Sequence, residues 1–155
     1  MGREEVKQVY EEFKKRYGLP EFSAVDFELE ISSLDGDKFL LRAIRNKIRL
    51  KLENYCNTIE DLLTPDTSLP LLHECSYLNE GDKKRLFSLF KKMMYMQRAA
   101  EVLEVEKNND EDAKYIKGYF KNLDFIKKRM KRITIKRMDS WKKELSPYIK
   151  EEYFG

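Results

Sequence analysis

Residues 38–63 read KFLLRAIRNKIRLKLENYCNTIEDLL, and this stretch decides the fold class. Its apolar side chains recur every three or four residues, at Leu41, Ile44, Ile48, Leu52, Tyr55, Ile59 and Leu62. The spacing follows the 3.6-residue period of an α-helix and drifts off a strict heptad, which would place Lys51 and Thr58 in the core. The pattern therefore predicts a long helix that packs in a globular core and ends at Thr64-Pro65.

A second long helix is predicted over residues 80–106. One side of it carries Leu86, Leu89, Phe90, Met93, Met96, Ala100 and Leu103. The methionines Met93, Met94 and Met96 fit two interpretations, a flexible filler of the core or an adaptable groove for a partner, and the neighbouring aromatic side chains favour the core.

The remaining elements are shorter. A helix over 3–17 ends at Gly18, which supplies a left-handed cap. Residues 23–34 fit either a strand or a short helix, and a capping box of Ser23 with Asp26 favours the helix. An apolar helical element is predicted around 69–78. Helices over 111–122 and 124–145 complete the chain, with Asp124 as the cap of the last one, and 146–155 form a tail that frays.

These elements predict an all-α antiparallel bundle of five or six helices, with two long central helices, in a single domain over residues 1–155. Of the 155 side chains, 41% are hydrophobic and 12% aromatic, which is too much for a disordered chain. Leu41, Ile44, Ile48, Leu52, Tyr55, Phe90, Met93 and Leu103 are the expected core.

The sequence also disfavours two classes of protein, membrane-spanning and secreted. No apolar run approaches the ~18 residues that a membrane-spanning helix needs, and the first residues lack a secretory h-region. We expect a cytoplasmic protein with no membrane partner, in which Cys56 and Cys75 are reduced. The sequence does not decide the oligomeric state.

Several active-site chemistries are disfavoured by spacing. His73 and Cys75 lie two residues apart, which on a helix points them about 200° from each other, so they cannot share a metal or form a nucleophile pair. Residue 70, three before His73, is Pro70, so a Glu-x-x-His di-iron motif is absent, and the glycines form no phosphate loop. The paired acids Glu11-Glu12 and Glu101 with Glu104 fit solvated faces. We predict no metal and no cofactor.

The strongest signal is a basic segment near the end of the chain. Residues 127–143 contain nine Lys or Arg against the single acid Asp139, so they carry +8 and the rest of the chain −5. The predicted contact residues are Lys128, Arg129, Lys131, Arg132, Lys136, Lys142 and Lys143, which fall within an arc of about 160° on a helix. Opposite them, Ile126, Met130, Ile133, Met138 and Trp141 are expected to dock the helix on the core. A weaker basic row, Arg42, Arg45 and Arg49, lies on the first long helix.

The basic segment has three interpretations. The first is a solvated face whose lysines pair with acids elsewhere, and the second is a surface for nucleic acid. The third is a surface for an acidic protein or an anionic membrane, of which the membrane is disfavoured. With no motif for sequence reading, a nucleic acid would be bound through its phosphates. The resulting hypothesis is a non-enzymatic helical module that binds or scaffolds a macromolecule. The alternative is a small helical enzyme or ligand-binding bundle that uses carboxylates, tyrosines and His73.

Overall fold

The computed structural model describes residues 2–144, with the side chains of residues 2–142. This range contains six α-helices and one 3₁₀ turn at Ile31–Ser33, and it contains no strand. The helices are α1 Arg3–Tyr17, α2 Phe22–Leu29, α3 Leu40–Leu63, α4 Leu69–Ser76, α5 Glu80–Glu106 and α6 Asn109–Glu144. The predicted all-α helical bundle is confirmed, with α3, α5 and α6 as the long helices. The predicted tail at 146–155 lies outside the described residues.

The chain divides into two compact units. The first unit comprises Met1–Asn54 and Met93–Asp124, and the second comprises Tyr55–Lys92 and Phe125–Gly155. The single domain over residues 1–155 stays a prediction.

In the first unit, α1 ends as the sequence predicts. Gly18 has a φ of 68°, and its N–H donates to the carbonyl four residues earlier at 2.8 Å. The Tyr10 hydroxyl donates to the Pro20 carbonyl at 2.6 Å, and burial raises the pKa of Tyr10. The Lys117 ammonium on α6 donates to the Tyr17 carbonyl at 2.7 Å and so joins α6 to the end of α1.

The ambiguous stretch at 23–34 is helical, but its predicted capping box is wrong. The residue before α2 is Glu21, and no side chain caps the helix there. Asp26 instead accepts two hydrogen bonds from Ser32, from the N–H at 2.9 Å and from the hydroxyl at 2.8 Å. Asp26 therefore stabilises the 3₁₀ turn that follows α2, because a short acidic side chain can satisfy exposed turn donors as well as helix donors.

The long stripe of α3 forms much of the core, as expected. In the first unit Leu41, Ile44, Ile48 and Leu52 have no exposed surface, and Met93 of α5 is equally buried. Of the other expected core residues, Tyr55, Phe90 and Leu103 are only half-buried. Within the methionine cluster, Met93 is buried, as the core interpretation predicts.

Ile48→Ala is expected to lower the free energy of unfolding by about 2 to 4 kcal/mol, because the change removes buried methyl groups and leaves a cavity. Urea unfolding checks the loss. Leu50→Ala is the matched control on the same helix, because Leu50 is 45% exposed. A loss at Ile48 no larger than the loss at Leu50 would contradict the assignment of the α3 stripe to the core.

The two predicted helices 111–122 and 124–145 are one helix, α6, of 36 residues. Asp124 is exposed inside it and caps nothing. An aspartate in a helix interior costs less than about 1 kcal/mol relative to alanine. Buried side chains on both sides of Asp124, including Ile116 and Ile126, offset that cost. Asn108 is the actual cap, since its side-chain oxygen accepts from the Asp110 N–H at 2.8 Å.

The second unit joins α4 to the second half of α6, because Glu74 of α4 accepts from Arg137 and Trp141 of α6. Its core contains Cys56, Ile59, Leu62, Leu78, Leu86, Leu89, Ile126, Met130 and Ile133. α3 ends at Leu63, directly before the predicted stop at Thr64-Pro65. Ser68 caps α4, because its hydroxyl oxygen accepts from the Leu71 N–H at 3.4 Å.

Candidate functional site

A reciprocal cap at the start of α5 anchors the candidate site in the second unit. The Asn79 side chain accepts from the Asp82 N–H at 2.8 Å, and Asp82 accepts from the Asn79 N–H at 3.0 Å. Asp82 also pairs with Arg85 at 2.8 Å and with Lys136 of α6 at 2.6 Å. The hydrogen bond from Lys136 lowers the pKa of Asp82 to about 2. Asp82 thus caps α5 and joins it to α6 at neutral pH.

From Asp82 a groove runs between α5 and α6, which we call the α5–α6 groove. Its basic lining is Arg85, Lys92, Arg129, Arg132 and Lys136, and its other lining residues are Asp82, Leu86, Ser88, Leu89, Phe125 and Ile133. The end of the groove at Phe125 has a volume of about 250 Å³ and opens to solvent. Basic side chains from two helices therefore converge over an apolar floor.

Two exposed aromatic rings lie among these cations. Phe125 is 43% exposed, and the Lys92 and Arg129 charges lie 4.6 Å and 4.8 Å from its ring centre. Phe87 of α5 is 51% exposed, with the Lys91 charge 5.1 Å from its ring centre. Cations at these distances are attracted to the faces of the rings.

The charge on the two helices exceeds that of the acids near them. Residues 83–92 contain five basic side chains and residues 127–137 contain seven, and neither segment contains an acid. The ion pairs of these segments include Lys83 with Glu80, Arg85 and Lys136 with Asp82, and Arg137 with Glu74. Seven others form no ion pair with a carboxylate of the described residues: Lys84, Lys91, Lys92, Lys128, Arg129, Lys131 and Arg132. We call the exposed surface of residues 83–92 and 125–136 the basic face.

The structure distributes the seven predicted contact residues unevenly. Arg129, Arg132 and Lys136 line the α5–α6 groove. Lys128 is exposed, and at 100° per residue it lies within about 40° of Arg132 around α6. Lys131 and Lys142 are exposed but do not line the groove. The side chain of Lys143 lies outside the described residues.

The α5 half of the site was not predicted from the sequence. Arg85, Lys92 and Ser88 lie in a segment whose apolar positions predicted a core helix, and its basic residues were not singled out. The signal was present, because residues 83–92, KKRLFSLFKK, contain no acid. The sequence of residues 83–92 does not show which helix packs beside α5, because that depends on the tertiary fold.

Four of the five predicted docking residues of α6 contact other elements or the core, and Met138 is wrong. Ile126, Met130 and Ile133 are buried, Trp141 is 40% exposed and Met138 is 55% exposed. Trp141 contacts α4 through the His73 ring and through Glu74, which is 8% exposed. Glu74 accepts from the Trp141 indole N–H at 2.7 Å and from Arg137 at 3.0 Å. The last turns of α6 are therefore held by polar contacts rather than by an apolar stripe.

The predicted basic row Arg42, Arg45 and Arg49 is not a surface row. Arg45 is 1% exposed in the first unit, where it donates to Asp112 at 2.7 Å, to Glu104 at 2.6 Å and to the Ala100 carbonyl at 3.0 Å. The pKa values of these two carboxyls shift in opposite directions. The hydrogen bond from Arg45 lowers the pKa of Glu104, whereas burial raises the pKa of Asp112 in spite of the same guanidinium.

The groups named for an enzyme or ligand site are engaged in structural contacts. His73 Nε2 lies 3.2 Å from the Ser140 carbonyl oxygen, and its ring stacks 4.1 Å from the ring of Trp141. The Tyr115 hydroxyl donates to the Met96 carbonyl at 2.8 Å, and burial raises the pKa of Tyr115. Both cysteines are free thiols, and across the described residues no group of three or more His, Cys, Asp or Glu is placed to hold a metal ion.

No helix among the described residues has the length and apolarity needed to cross a membrane. No family model, no curated protein and no solved structure matches this chain.

Proposed function

We propose that this protein is a non-enzymatic helical module that binds nucleic acid through its phosphate backbone, with the basic face as its contact surface. The observation that carries the proposal is the set of seven cations on two adjacent helices that form no ion pair with a described carboxylate. Among the described residues, these seven cations lack the acidic partners that the solvated-face interpretation assigns to the lysines of the segment. Here the paired cations, such as Lys136, position the helices, and the unpaired ones are available to a polyanion.

The proposal assigns the contacts to phosphate rather than to base edges. The basic side chains line an open groove and its rims, and no motif for reading a base sequence is present in the chain. Arg129 and Arg132 offer planar guanidinium groups, which match the oxygens of a phosphate in pairs. We place the protein in the cytoplasm, where the free thiols Cys56 and Cys75 would stay reduced.

The test is fluorescence anisotropy with labelled DNA and RNA across a salt series. If four to six phosphates are contacted, log affinity for duplex should fall against log salt with a slope of about −4 to −5, because each neutralised phosphate releases condensed counterions. Affinity should not depend on base sequence. Absence of binding at ~50 mM salt would contradict the proposal. Equal binding of a poly-glutamate peptide would point instead to an acidic protein partner and would also overturn it.

A further inference from the structure

The basic face carries more than charge, because two phenylalanine rings are exposed on it. Single exposed apolar side chains are ordinary in soluble proteins. Phe87 and Phe125 differ because each lies beside lysines or arginines on the surface that we assign to phosphate. Contact with a DNA or RNA duplex through phosphates alone makes no use of an exposed aromatic ring, since the bases of a duplex are stacked on each other.

A single strand presents both groups that this surface matches. Its phosphates are as charged as those of a duplex, and its bases have free π-faces that stack on aromatic side chains. Proteins that bind single strands without sequence preference combine a positive groove with such stacking platforms. An acidic peptide would satisfy the cations but has no planar base to cover the rings.

The placement of the rings fits this chemistry. Phe125 lies in the α5–α6 groove with Arg85, Lys92 and Arg129. Phe87 lies in a second opening, which is lined by Leu63, Lys83, Lys84, Ser88 and Lys91. Ser88 lines both openings. A strand that crosses α5 at this small side chain would therefore meet one ring on each side, with basic side chains beside both.

From this arrangement we infer that the basic face binds single-stranded nucleic acid in preference to duplex, with one base stacked on Phe125 and another on Phe87. The inference rests on the proposed function and adds the class of nucleic acid to it. A base that stacks on Phe125 takes the place of Lys92 or Arg129 over the ring. The displaced cation stays within reach of the adjoining phosphate, because both side chains are long and flexible.

The experiment compares single strands and duplexes of equal length by anisotropy at one salt concentration. The wild type should bind the single strand more tightly. Phe125→Leu should weaken single-strand binding about tenfold, the loss expected for one base–aromatic stack, and weaken duplex binding by a smaller factor. Phe87→Leu should act in the same direction. Phe125→Trp should keep single-strand binding, because it preserves an aromatic face.

The chain offers a matched control in the first unit. Phe39 is 46% exposed and carries two cations near its ring, from Lys38 at 5.1 Å and Arg42 at 4.8 Å. It lies outside the basic face, so Phe39→Leu should bind both nucleic acids like the wild type. Circular dichroism and thermal unfolding verify that each variant folds.

The outcomes separate this inference from the proposed function. Binding of both nucleic acids with unchanged affinity in Phe125→Leu and Phe87→Leu would overturn the stacking inference and leave the phosphate contacts in place. Wild-type preference for duplex would overturn it as well. Failure of the wild type to bind any nucleic acid would overturn both.

Discussion

Asp112→Ala is expected to lower the free energy of unfolding by about 3 to 5 kcal/mol, among the largest losses that a single change in this chain should cause. Asp112 and Arg45 are each 1% exposed and lie 2.7 Å apart in the first unit. Removal of the carboxylate leaves the Arg45 Nε–H in the core without its acceptor. Arg45 then keeps one carboxylate, Glu104, whose side chain is 54% exposed. A buried donor of a charged group that has lost its acceptor costs far more than a lost surface pair.

Two further variants show whether the loss comes from the buried Arg45 Nε–H that has lost its acceptor. Glu104→Ala removes the other carboxylate of Arg45, whose side chain is 54% exposed, and should cost at most about 1 kcal/mol. Arg45→Met with Asp112→Leu removes both buried charges and should recover most of the stability that Asp112→Ala loses. Urea unfolding at pH 7 measures all three. If Asp112→Ala costs no more than Glu104→Ala, Arg45 is not held as the structure indicates.

This cluster also shows what single-sequence reasoning could not predict. Arg45 is separated from Asp112 by 67 residues, and its spacing from Arg42 and Arg49 is the same whether it faces water or a buried acid. Periodicity in α3 identified Ile48 and Leu52 correctly, because apolar side chains at helical spacing have one physical explanation. A charged side chain at helical spacing has two physical explanations, exposure to water or an ion pair in the core. Only the tertiary structure decides between them.

The candidate site also has one part that the sequence predicts and one part that depends on packing. The α6 half was predictable, because the basic residues from Lys127 to Arg137 form one acid-free run on a single helix. Its partner segment on α5 became part of the site only through packing, which brings Arg85 to the same groove as Arg129. At the end of α6, helical spacing predicts a core position for Trp141, but it cannot show that the polar residue Glu74 lies beside the indole.

Reversal of charge on the basic face should have the largest effect on binding. The variant is Lys84→Glu, Lys128→Glu and Arg132→Glu, a change of −6 at three exposed residues that form no ion pair with a described carboxylate. Lys136 is left in place, because its pair with the buried Asp82 joins α5 to α6 and a glutamate there would face that acid. The fold should therefore survive.

The size of the effect follows from counterion release. If each of the three residues neutralises one phosphate, their reversal should reduce the salt slope for duplex by about 3 and lower affinity at ~50 mM salt on the order of 10³-fold. Anisotropy with the same labelled duplex across the salt series measures both quantities. A slope that keeps its wild-type value would remove the basic face from the binding surface.

The control must separate local contacts from net charge. Lys7→Glu, Lys15→Glu and Lys121→Glu also change the charge by −6, at exposed residues of the first unit. A long-range effect of net charge would weaken binding in both variants alike, and salt would screen it beyond about 10 Å at 0.1 M. Direct contact predicts that only the reversal of Lys84, Lys128 and Arg132 changes the slope. Equal losses in the two variants would show that the protein attracts nucleic acid by its overall charge, without a binding face on α5 and α6.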